Sequence, residues 1–429
     1  MKPSSSHTVP PVHYYLEFLG CRLNAAEIET LSRRFEGSGG QIEKDPGSAD
    51  VIVVNTCAVT QQAAQRSRRR IHKLHHLQPE AEIAVLGCWA TDAYTTAFRC
   101  PGVKWVLPNI DKQRAVEIIT GETAPPAPWI PGRWGHTRAF LAVQDGCDHT
   151  CTYCLTQVLR GPSRSRDLRE AVNAARDMVI NGAQELVLTG VSLGAYGMDL
   201  GFENGLTVLV KSILSETDVP RLRLSSIEPW DVKDSLLQQW ENPRLCRQLH
   251  LPLQSGSDSV LRRMGRKIST AEYIELVNKV RQISPGIAIT SDVIAGFQGE
   301  TDDEFSQTMD FVEKLKFARL HVFPYSERAG TPAIHIPGSV PLEVRKRRVR
   351  KLQSLSERLS MAYQSGMVGQ TCPVLYQGMD RNGVWVGLTD TYVKVKVESR
   401  RPLYNTIAET RIILVKTNYV EGELLHNAV

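Results

Sequence analysis

Six short apolar runs separated by helical stretches occupy residues 137–335, and they constrain the fold more than any other feature. The runs are AFLAVQDG, ELVLTG, RLRLSSI, QLHLPL, IAITSDVIAG and RLHVFPYS. Repeated strand–helix units with polar residues after the strands are typical of parallel β/α barrels, whose sites lie at the carboxyl ends of the strands. Six such units predict a partial TIM-type (β/α)6 barrel that is open on one side.

One smaller domain is predicted before this barrel and another after it. Before it, HYYLEFLG, VIVVNT and EIAVLG alternate with helical stretches, which predicts a small parallel-sheet α/β domain. A helix is expected to begin at Asn24, because Asn24 and Glu27 have the spacing of a capping box. After the barrel, TCPVLYQGM, GVWVGLTD, YVKVKVES and RIILVKTN alternate apolar and polar residues, which predicts a small antiparallel β-barrel.

The chain is therefore predicted to be an α/β multidomain protein, with domains at residues 12–122, 133–364 and 367–429. The proline- and glycine-rich stretch 121–136 is predicted to be a linker. Pro341–Gly366 is predicted to be a long basic helix that joins the barrel to the C-terminal domain or packs on the barrel.

Charge and cysteine content narrow the cellular setting. The net charge of +5 permits an anionic partner but does not require one. No apolar run is long enough to span a membrane, and the N-terminal MKPSSSHTVPPVHYY, predicted to be a short loose leader, lacks the apolar core of a signal peptide. We therefore expect a cytoplasmic protein without a membrane partner, in which nine cysteines indicate metal binding or catalysis before disulfides.

Three of the cysteines form a compact motif directly after the first barrel strand. Cys147, Cys151 and Cys154 are spaced C-x3-C-x2-C, which can bring three thiolates to one face of an iron–sulfur cluster. Three ligands to a four-iron cluster leave one iron open for an exogenous ligand. A zinc site with His149 as a ligand and chance spacing are the alternatives, but the two spacings differ and no partner CxxC follows.

Three further cysteines occupy equivalent places in the first domain. Cys21, Cys57 and Cys88 each follow a predicted parallel strand, at the sheet edge where α/β proteins bind ligands. They could converge on a second metal site, although three separate buried thiols remain an alternative. Cys100, Cys246 and Cys372 lack such a setting and are expected to be structural.

The ordered motifs of nearly the whole chain resemble the radical S-adenosylmethionine (SAM) methylthiotransferase family. FLGCRLNAAEIE, VNTCAVT and LGCWA resemble its three N-terminal cysteine motifs, and GCDHTCTYC matches the radical SAM motif. LPLQSGSDSVLRRMGRK, ITSDVIAGFQGETDDEF and HVFPYSERAGTPA resemble its barrel signatures, and the C-terminal segment resembles the RNA-associated TRAM domain. One departure is LTQVLRG after the cysteine motif, where family members often have an Ile-Ile-Pro-like stretch before Arg-Gly.

The resemblance implies two 4Fe–4S clusters and SAM as cofactors. It assigns Cys147, Cys151 and Cys154 to the cluster that reductively cleaves SAM to a 5′-deoxyadenosyl radical. It assigns Cys21, Cys57 and Cys88 to an auxiliary cluster involved in sulfur insertion, where a further SAM donates a methyl group to sulfur. The implied partners are tRNA and a low-potential electron donor that is flavodoxin- or ferredoxin-like.

The implied reaction is methylthiolation of tRNA. The LGCRLNAAE motif is most similar to the branch that acts on threonylcarbamoyladenosine next to the anticodon. Alternatives are the branch that acts on isopentenyladenosine in tRNA, the branch that acts on a ribosomal-protein aspartate, and a non-enzymatic iron–sulfur carrier or scaffold.

Further site residues are expected near the radical SAM motif. The candidates for SAM contact are Tyr153, Gly190, Glu228, Gln254 and Asp292, and the candidates for RNA contact are Arg160, Arg164 and Arg166. Gly190, Glu228 and Gln254 are expected at or near strand ends, and Asp292 is expected to point into the barrel or its mouth. The alternatives are an ordinary βα turn at Gly190, a solvated carboxylate at Glu228 and a solvated basic face for the arginines.

Overall fold

The computed structural model describes residues 11–133, 135 and 137–425, which form two compact units. The first unit runs to Trp129 and includes Val158–Arg160, and the second contains the remainder. The predicted leader up to residue 10, Trp134 and His136 of the predicted linker, and the last four residues lie outside the described part of the chain.

The N-terminal unit is the expected parallel α/β domain. Its strands are β1 His13–Phe18, β2 Gln41–Ile42, β3 Val51–Thr56, β4 Glu82–Gly87 and β5 Val103–Leu107. Its helices are α1 Arg22–Gly37, α2 Gln61–Leu77, α3 Cys88–Asp92, α4 Tyr94–Phe98 and α5 Ala115–Thr120. The strand order is β2-β1-β3-β4-β5 with parallel pairing throughout, and every residue of the central β3 is buried. Burial on both faces explains the unbroken apolar run VIVV.

The expected start of the first helix is wrong by two residues. Helix α1 begins at Arg22 with Cys21 in the N-cap position, so that Asn24 lies inside the helix. The Asn24 side chain is buried and donates hydrogen bonds to the carbonyl oxygens of Leu19 and Thr56, at 2.7 and 3.1 Å. Asn24 therefore ties helix α1 to the ends of two strands instead of capping the helix.

The first half of the predicted linker packs on the N-terminal unit. The Arg33 Nε donates to the carbonyl oxygen of Ala127 at 2.5 Å, and the indole of Trp129 donates to Glu29. Trp129 is buried, which a proline-rich composition alone does not indicate. The domain boundaries at 122 and 133 remain predictions.

The C-terminal unit contains all six predicted barrel strands. Its first eight strands are β6 Ala139–Ala142, β7 Gln144–Asp145, β8 Arg164–Ser165, β9 Glu185–Thr189, β10 Arg221–Leu224, β11 Gln248–His250, β12 Ala288–Ala295 and β13 Arg319–Pro324. The helices are α6 Thr156–Arg160, α7 Leu168–Ile180, α8 Gly205–Glu216, α9 Asp234–Leu237, α10 Asp258–Arg263, α11 Thr270–Ile283, α12 Asp302–Leu315 and α13 Leu342–Ser365. Helix α6 straddles the boundary between the two units.

Parallel strands in two groups of three form the partial barrel. The groups are β6-β9-β10 and β11-β12-β13, and parallel bridges from Leu222 to Leu245 and from Ser226 to His250 connect them. Helices α11 and α12 begin with complete capping boxes, Ser269 with Glu272 and Thr301 with Glu304. These local signals place helices between the strands, as the sequence predicts.

A closed five-stranded barrel follows the long helix α13. Its strands are β14 Thr371–Met379, β15 Trp385–Thr389, β16 Lys394–Val397, β17 Thr406–Val415 and β18 Val420–Leu424, in the order β14-β15-β16-β18-β17. The prediction missed β18, because VEGEL is short and largely polar. The β16–β18 pair is parallel and the other pairs are antiparallel.

Two buried arginines join this small barrel to the larger one. Arg223 on β10 forms a bidentate ion pair with Glu185 on β9 and also donates to the carbonyl oxygens of Thr389 and Asp390. Arg221 donates to the carbonyl oxygens of Leu388 and Pro373. These bonds satisfy carbonyl oxygens of β14, of β15 and of the residue after β15, and they attach the small barrel to β10. None of the described helices is long and apolar enough to cross a lipid bilayer.

Candidate metal centres

The N-terminal unit places Cys21, Cys57 and Cys88 at one edge of its sheet. Cys21 lies between β1 and α1, Cys57 follows β3 directly, and Cys88 follows β4 directly. Because β1, β3 and β4 are adjacent and parallel, their carboxyl ends meet at the same edge. The sheet order therefore brings together three cysteines that are more than thirty residues apart in sequence.

The thiols of these cysteines influence one another electrostatically. Burial raises the pKa of the Cys57 thiol to about 11, and the nearby thiols of Cys88 and Cys21 contribute in the same direction. Gly20 has a φ of +98°, and a β-carbon there would lie 2.7 Å from the Cys57 Sγ. The backbone before Cys21 thus lies directly against Cys57, which accounts for glycine in the LGC motif.

Two asparagines contact this group of thiols. The Cys21 thiol donates to the Asn24 Oδ1 at 3.5 Å, and the Asn109 Nδ2 lies 3.6 Å from the Cys88 Sγ. Asn109 also donates to the carbonyl oxygen of Leu159 at 2.9 Å. Asn109 follows β5, and no spacing pattern in the sequence marks it as a site residue.

Buried charges hold the two asparagines in place. The Lys112 Nζ and the Arg160 Nη1 both bind the Glu27 Oε1, at 2.6 and 3.1 Å. Lys112 also donates to the Asn109 Oδ1, and Arg160 donates to the Asn24 Oδ1 at 2.7 Å. Two cations face one carboxylate here, so this group carries a net positive charge that favours thiolates nearby.

The prediction that Arg160 contacts RNA is not supported by this geometry. Only 5% of Arg160 is exposed, and its guanidinium is bonded to Glu27 and Asn24. Arg164, on the short strand β8, is exposed, and Arg166 is half-buried with its Nε 3.8 Å from the Glu170 carboxylate. The three arginines, close in sequence, therefore have different environments.

The second group of thiols lies in the loop after β7. Burial raises the pKa of the Cys147 thiol to about 11, and the thiols of Cys154 and Cys151 add to this rise. The backbone N–H groups of His149 and Thr156 donate to the Sγ atoms of Cys147 and Cys154, each at 3.4 Å. Donors of this kind stabilise thiolates and tune bound clusters.

Arg266 and Glu228 lie beside this loop. The Arg266 Nη1 lies 4.0 Å from the Cys151 Sγ, and its Nη2 lies 2.7 Å from the Glu228 carboxylate. The guanidinium also sits 4.4 Å from the centre of the Trp230 ring. The sequence analysis missed Arg266, because it is one of four basic residues in the run LRRMGRK and only the tertiary fold brings it to the cysteines.

Of the residues predicted to contact SAM, Gly190, Glu228 and Gln254 follow barrel strands within four residues, whereas Tyr153 lies in the cysteine loop and Asp292 within β12. Gly190 follows β9, and a β-carbon there would lie 2.8 Å from the Gln144 Oε1, so that close packing also explains this glycine. The Tyr153 ring packs edge-on against Phe297, with centroids 6.3 Å apart. Gln254 has a φ of +73°, an uncommon conformation for a non-glycine residue that is found at functional sites. The assignment of these residues to SAM remains a prediction.

Asp292 lies on β12 and does not contact the cysteine loop through any bond of the described residues. Its Oδ1 instead lies 3.2 Å from the His250 Nε2 and 3.1 Å from the His321 Nδ1. The sequence analysis did not select either histidine.

Both groups of thiols fit the clusters that the resemblance implies. Each supplies three soft sulfur donors, and a buried thiol with a pKa near 11 stays protonated at neutral pH until a bound cation compensates for its negative charge. The remaining cysteines, Cys100, Cys246 and Cys372, are buried and belong to neither motif.

Comparison with known proteins identifies the family. The radical SAM superfamily matches residues 141–312, and the uncharacterized protein family UPF0004 matches residues 13–107. The chain is 33% identical to the threonylcarbamoyladenosine tRNA methylthiotransferase MtaB of Bacillus subtilis, with 95% of each protein covered. It is 35% identical to MtaB of Thermotoga maritima, covering 95% of this chain and 98% of that protein.

A further relative and a solved structure extend the comparison. The tRNA-2-methylthio-N(6)-dimethylallyladenosine synthase of Wolbachia pipientis is 34% identical and is covered over 99% of its length, with 96% of this chain. The radical SAM methyltransferase TsrM of Kitasatospora setae, solved with cobalamin and a [4Fe-4S] cluster, has a TM-score of 0.55 at 14% identity. That match covers 76% of this chain and 77% of TsrM, and it shows the fold alone.

These findings exclude the non-enzymatic carrier and confirm a transferase that uses SAM and a 4Fe–4S cluster. On whole-length similarity and domain content, the chain belongs to the radical SAM tRNA methylthiotransferase family.

Proposed function

We propose that this protein methylthiolates N6-threonylcarbamoyladenosine next to the anticodon of tRNA, using an auxiliary 4Fe–4S cluster besides the radical SAM cluster. The observation that supports the second cluster is the convergence of Cys21, Cys57 and Cys88 at one sheet edge. The observation that supports the substrate is whole-length similarity to two MtaB proteins.

The two groups of cysteines have separate roles in this proposal. Cys147, Cys151 and Cys154 hold the cluster that, when bound, supplies the electron for reductive cleavage of SAM. The other three cysteines hold the auxiliary cluster, at which sulfur is inserted. The Arg266 guanidinium is a positive charge next to Cys151, and it partly offsets the rise in the thiol pKa that burial causes.

The barrel residues orient SAM and the substrate. Glu228 is held by Arg266, so its carboxylate has a fixed position beside the cysteine loop. Tyr153, Gly190, Gln254 and Asp292 remain our candidates for the rest of the SAM site. Arg164 is our preferred RNA contact, because it is exposed and belongs to the segment that follows the radical SAM motif.

A second substrate is favoured by one specific observation. Identity to the dimethylallyladenosine synthase of Wolbachia pipientis is 34%, which lies between the values for the two MtaB proteins. Isopentenyladenosine in tRNA is therefore the alternative nucleoside. We also infer a cytoplasmic location and a flavodoxin- or ferredoxin-like electron donor.

Nucleoside mass spectrometry on bulk tRNA tests this proposal. We expect a deletion strain to lose the methylthio form of threonylcarbamoyladenosine and to accumulate its precursor, and the wild-type gene to restore the product. Cys147→Ala is the matched control that must fail to restore it. Loss of the methylthio group from isopentenyladenosine instead would support the alternative nucleoside, and no change in either would overturn both tRNA proposals.

A further inference from the structure

Three metal-ligating side chains from adjacent strands meet in the second half of the barrel, apart from either group of cysteines. His250 is the last residue of β11, Asp292 lies on β12 and His321 lies on β13. The parallel register pairs His250 with Thr290 and Asp292 with His321. Strand pairing therefore fixes the relative positions of all three side chains.

The three ligand atoms lie close enough together to bind one ion. The Asp292 Oδ1 lies 3.2 Å from the His250 Nε2 and 3.1 Å from the His321 Nδ1, and all three atoms lie within 4.8 Å of one another. Metal–ligand bonds of about 2.0–2.2 Å place neighbouring ligands roughly 3 Å apart in tetrahedral or octahedral geometry. The two distances from the Asp292 Oδ1 match these ligand-to-ligand edges, and the two histidine nitrogens lie no more than 4.8 Å apart.

Thr290 orients the more deeply buried imidazole. The His250 Nδ1 lies 2.9 Å from the Thr290 Oγ1, which also accepts a hydrogen bond from the Gln248 Nε2 at 3.2 Å. When a cation replaces the proton that Nε2 shares with Asp292, Nδ1–H can donate to this hydroxyl oxygen and leave the Nε2 lone pair for the metal. Metal-binding histidines usually have such a partner on the other ring nitrogen.

The charge of the cluster favours a cation. Within the described residues, the two imidazoles are the only basic groups at ion-pair distance from Asp292. Burial acts to raise the pKa of Asp292, but hydrogen bonds from His250 and His321 hold it well below the usual range. With no lysine or arginine at ion-pair distance among the described residues, the negative charge of the carboxylate is left for the imidazoles or a bound cation to balance.

The cluster is open to ligands on one side. The His250 side chain is 9% exposed, whereas Asp292 is 25% and His321 is 42% exposed. A cation could enter from the His321 side without any strand moving. The rings of His250 and His321 are stacked, with centroids 5.4 Å apart, so both imidazoles already lie beside the proposed cation position.

We propose that His250, Asp292 and His321 bind one divalent transition-metal cation. Two imidazoles and one carboxylate form a donor set that suits Fe²⁺, Co²⁺ or Zn²⁺ and leaves coordination positions for further oxygen ligands. The site differs chemically from the two cysteine groups, because its donors are nitrogen and oxygen. It also gives Asp292 a role in addition to the SAM contact predicted from the sequence.

Metal analysis of the holoenzyme tests the site. The protein is reconstituted anaerobically with iron and sulfide, incubated with Zn²⁺, desalted, and assayed for iron, zinc and acid-labile sulfide. Iron and sulfide are equal in number in a 4Fe–4S cluster, so metal in excess of sulfide reports other sites. We expect about one excess ion per chain in the wild type and a loss of this ion in His321→Gln and Asp292→Asn.

Two further variants sharpen the test. His335→Gln removes an exposed histidine elsewhere on the same unit and should keep the excess ion. Thr290→Val keeps all three ligands but removes the partner of His250, and we expect zinc affinity to fall by ~10–100-fold. Labile sulfide equal to that of the wild type shows that each variant has folded and carries its clusters.

Two results would overturn the proposal. One is no metal in excess of sulfide in the wild type, which would make the triad a purely hydrogen-bonded group. The other is an equal excess in the wild type, His321→Gln and Asp292→Asn, which would locate the ion elsewhere. If a ligand variant contains less labile sulfide than the wild type, it has not folded correctly and Thr290→Val takes its place. An unchanged zinc affinity in Thr290→Val would then contradict the site.

Discussion

Replacement of Arg223 by methionine should destabilise the C-terminal unit strongly, because it leaves a charged carboxylate buried without its main partner. Glu185 and Arg223 are both fully buried, and their ion pair has N–O distances of 2.7 and 3.1 Å. Arg223→Met also removes the donors to the carbonyl oxygens of Thr389 and Asp390. The change should therefore loosen the small β-barrel from the strands that it covers.

Two routes give the size of the effect. Burial acts to raise the pKa of Glu185, but the charge and hydrogen bonds of Arg223, together with the charges of Arg138 and Arg221, lower it from 4.5 to about 2. A drop of about 2.5 pH units corresponds to ~3 kcal/mol of folding free energy. Breaking one side of a buried ion pair typically costs ~3–5 kcal/mol. Arg221 and Arg138, whose Nη1 atoms lie 3.7 and 4.0 Å from the Glu185 carboxylate, remain in the variant and should keep the loss near the lower value.

The pH dependence has a definite sign. Because the pKa of Glu185 is lowered in the folded state, the contribution of the pair is present above about pH 4.5 and declines as the pH falls towards 2. The difference in stability between the wild type and Arg223→Met should therefore shrink as the pH is lowered from 5.

Urea-dependent limited proteolysis, with fragments identified by mass, measures this loss in the C-terminal unit. A loss of ~3 kcal/mol raises the open fraction roughly 100-fold. The control is Glu185→Gln combined with Arg223→Met, which removes the buried charge and should recover much of the loss. A single variant within about 1 kcal/mol of the wild type, or a double variant no better than the single, would refute the reasoning.

The remaining predictions concern the clusters and RNA. Cys147→Ala should abolish formation of 5′-deoxyadenosine from SAM and remove about half of the bound iron, since it removes one of two clusters. Cys57→Ala should also lose about half of the iron but should keep SAM cleavage while blocking methylthio product. Arg160→Met removes a buried positive charge beside the auxiliary thiols, so we expect a fall of roughly 40 mV in the reduction potential of that cluster by EPR-monitored titration. Arg164→Ala should weaken tRNA binding and lower its salt dependence, with a slope reduced by about one unit.

Each of these predictions has a contrary result. Normal 5′-deoxyadenosine from Cys147→Ala would contradict the assignment of the radical SAM cluster. Full methylthio product from Cys57→Ala would mean that the auxiliary cluster is dispensable. An unchanged potential in Arg160→Met would place its charge too far from the cluster to matter, and unchanged salt dependence in Arg164→Ala would remove that side chain from the RNA interface.

The sequence by itself determined the motifs whose members are neighbours along the chain. Cys147, Cys151 and Cys154 share one loop, so their spacing alone predicts a common ligand. The six barrel strands were equally predictable, because burial on both faces leaves continuous apolar runs between helical stretches. Strand β18 could not be predicted from the sequence, because the polar segment VEGEL forms a strand only by pairing with β16 and β17.

Contacts between distant residues were decided only by the tertiary structure. The order of β1, β3 and β4 brings Cys21, Cys57 and Cys88 together. The sequence pattern without the strand order left three separate buried thiols as an alternative. The same holds for Arg160, whose place among basic residues suggested a surface but whose partner Glu27 lies in a helix more than 100 residues earlier. His250, Asp292 and His321 meet through strand register, which local sequence patterns do not encode because each strand is predicted independently of its neighbours.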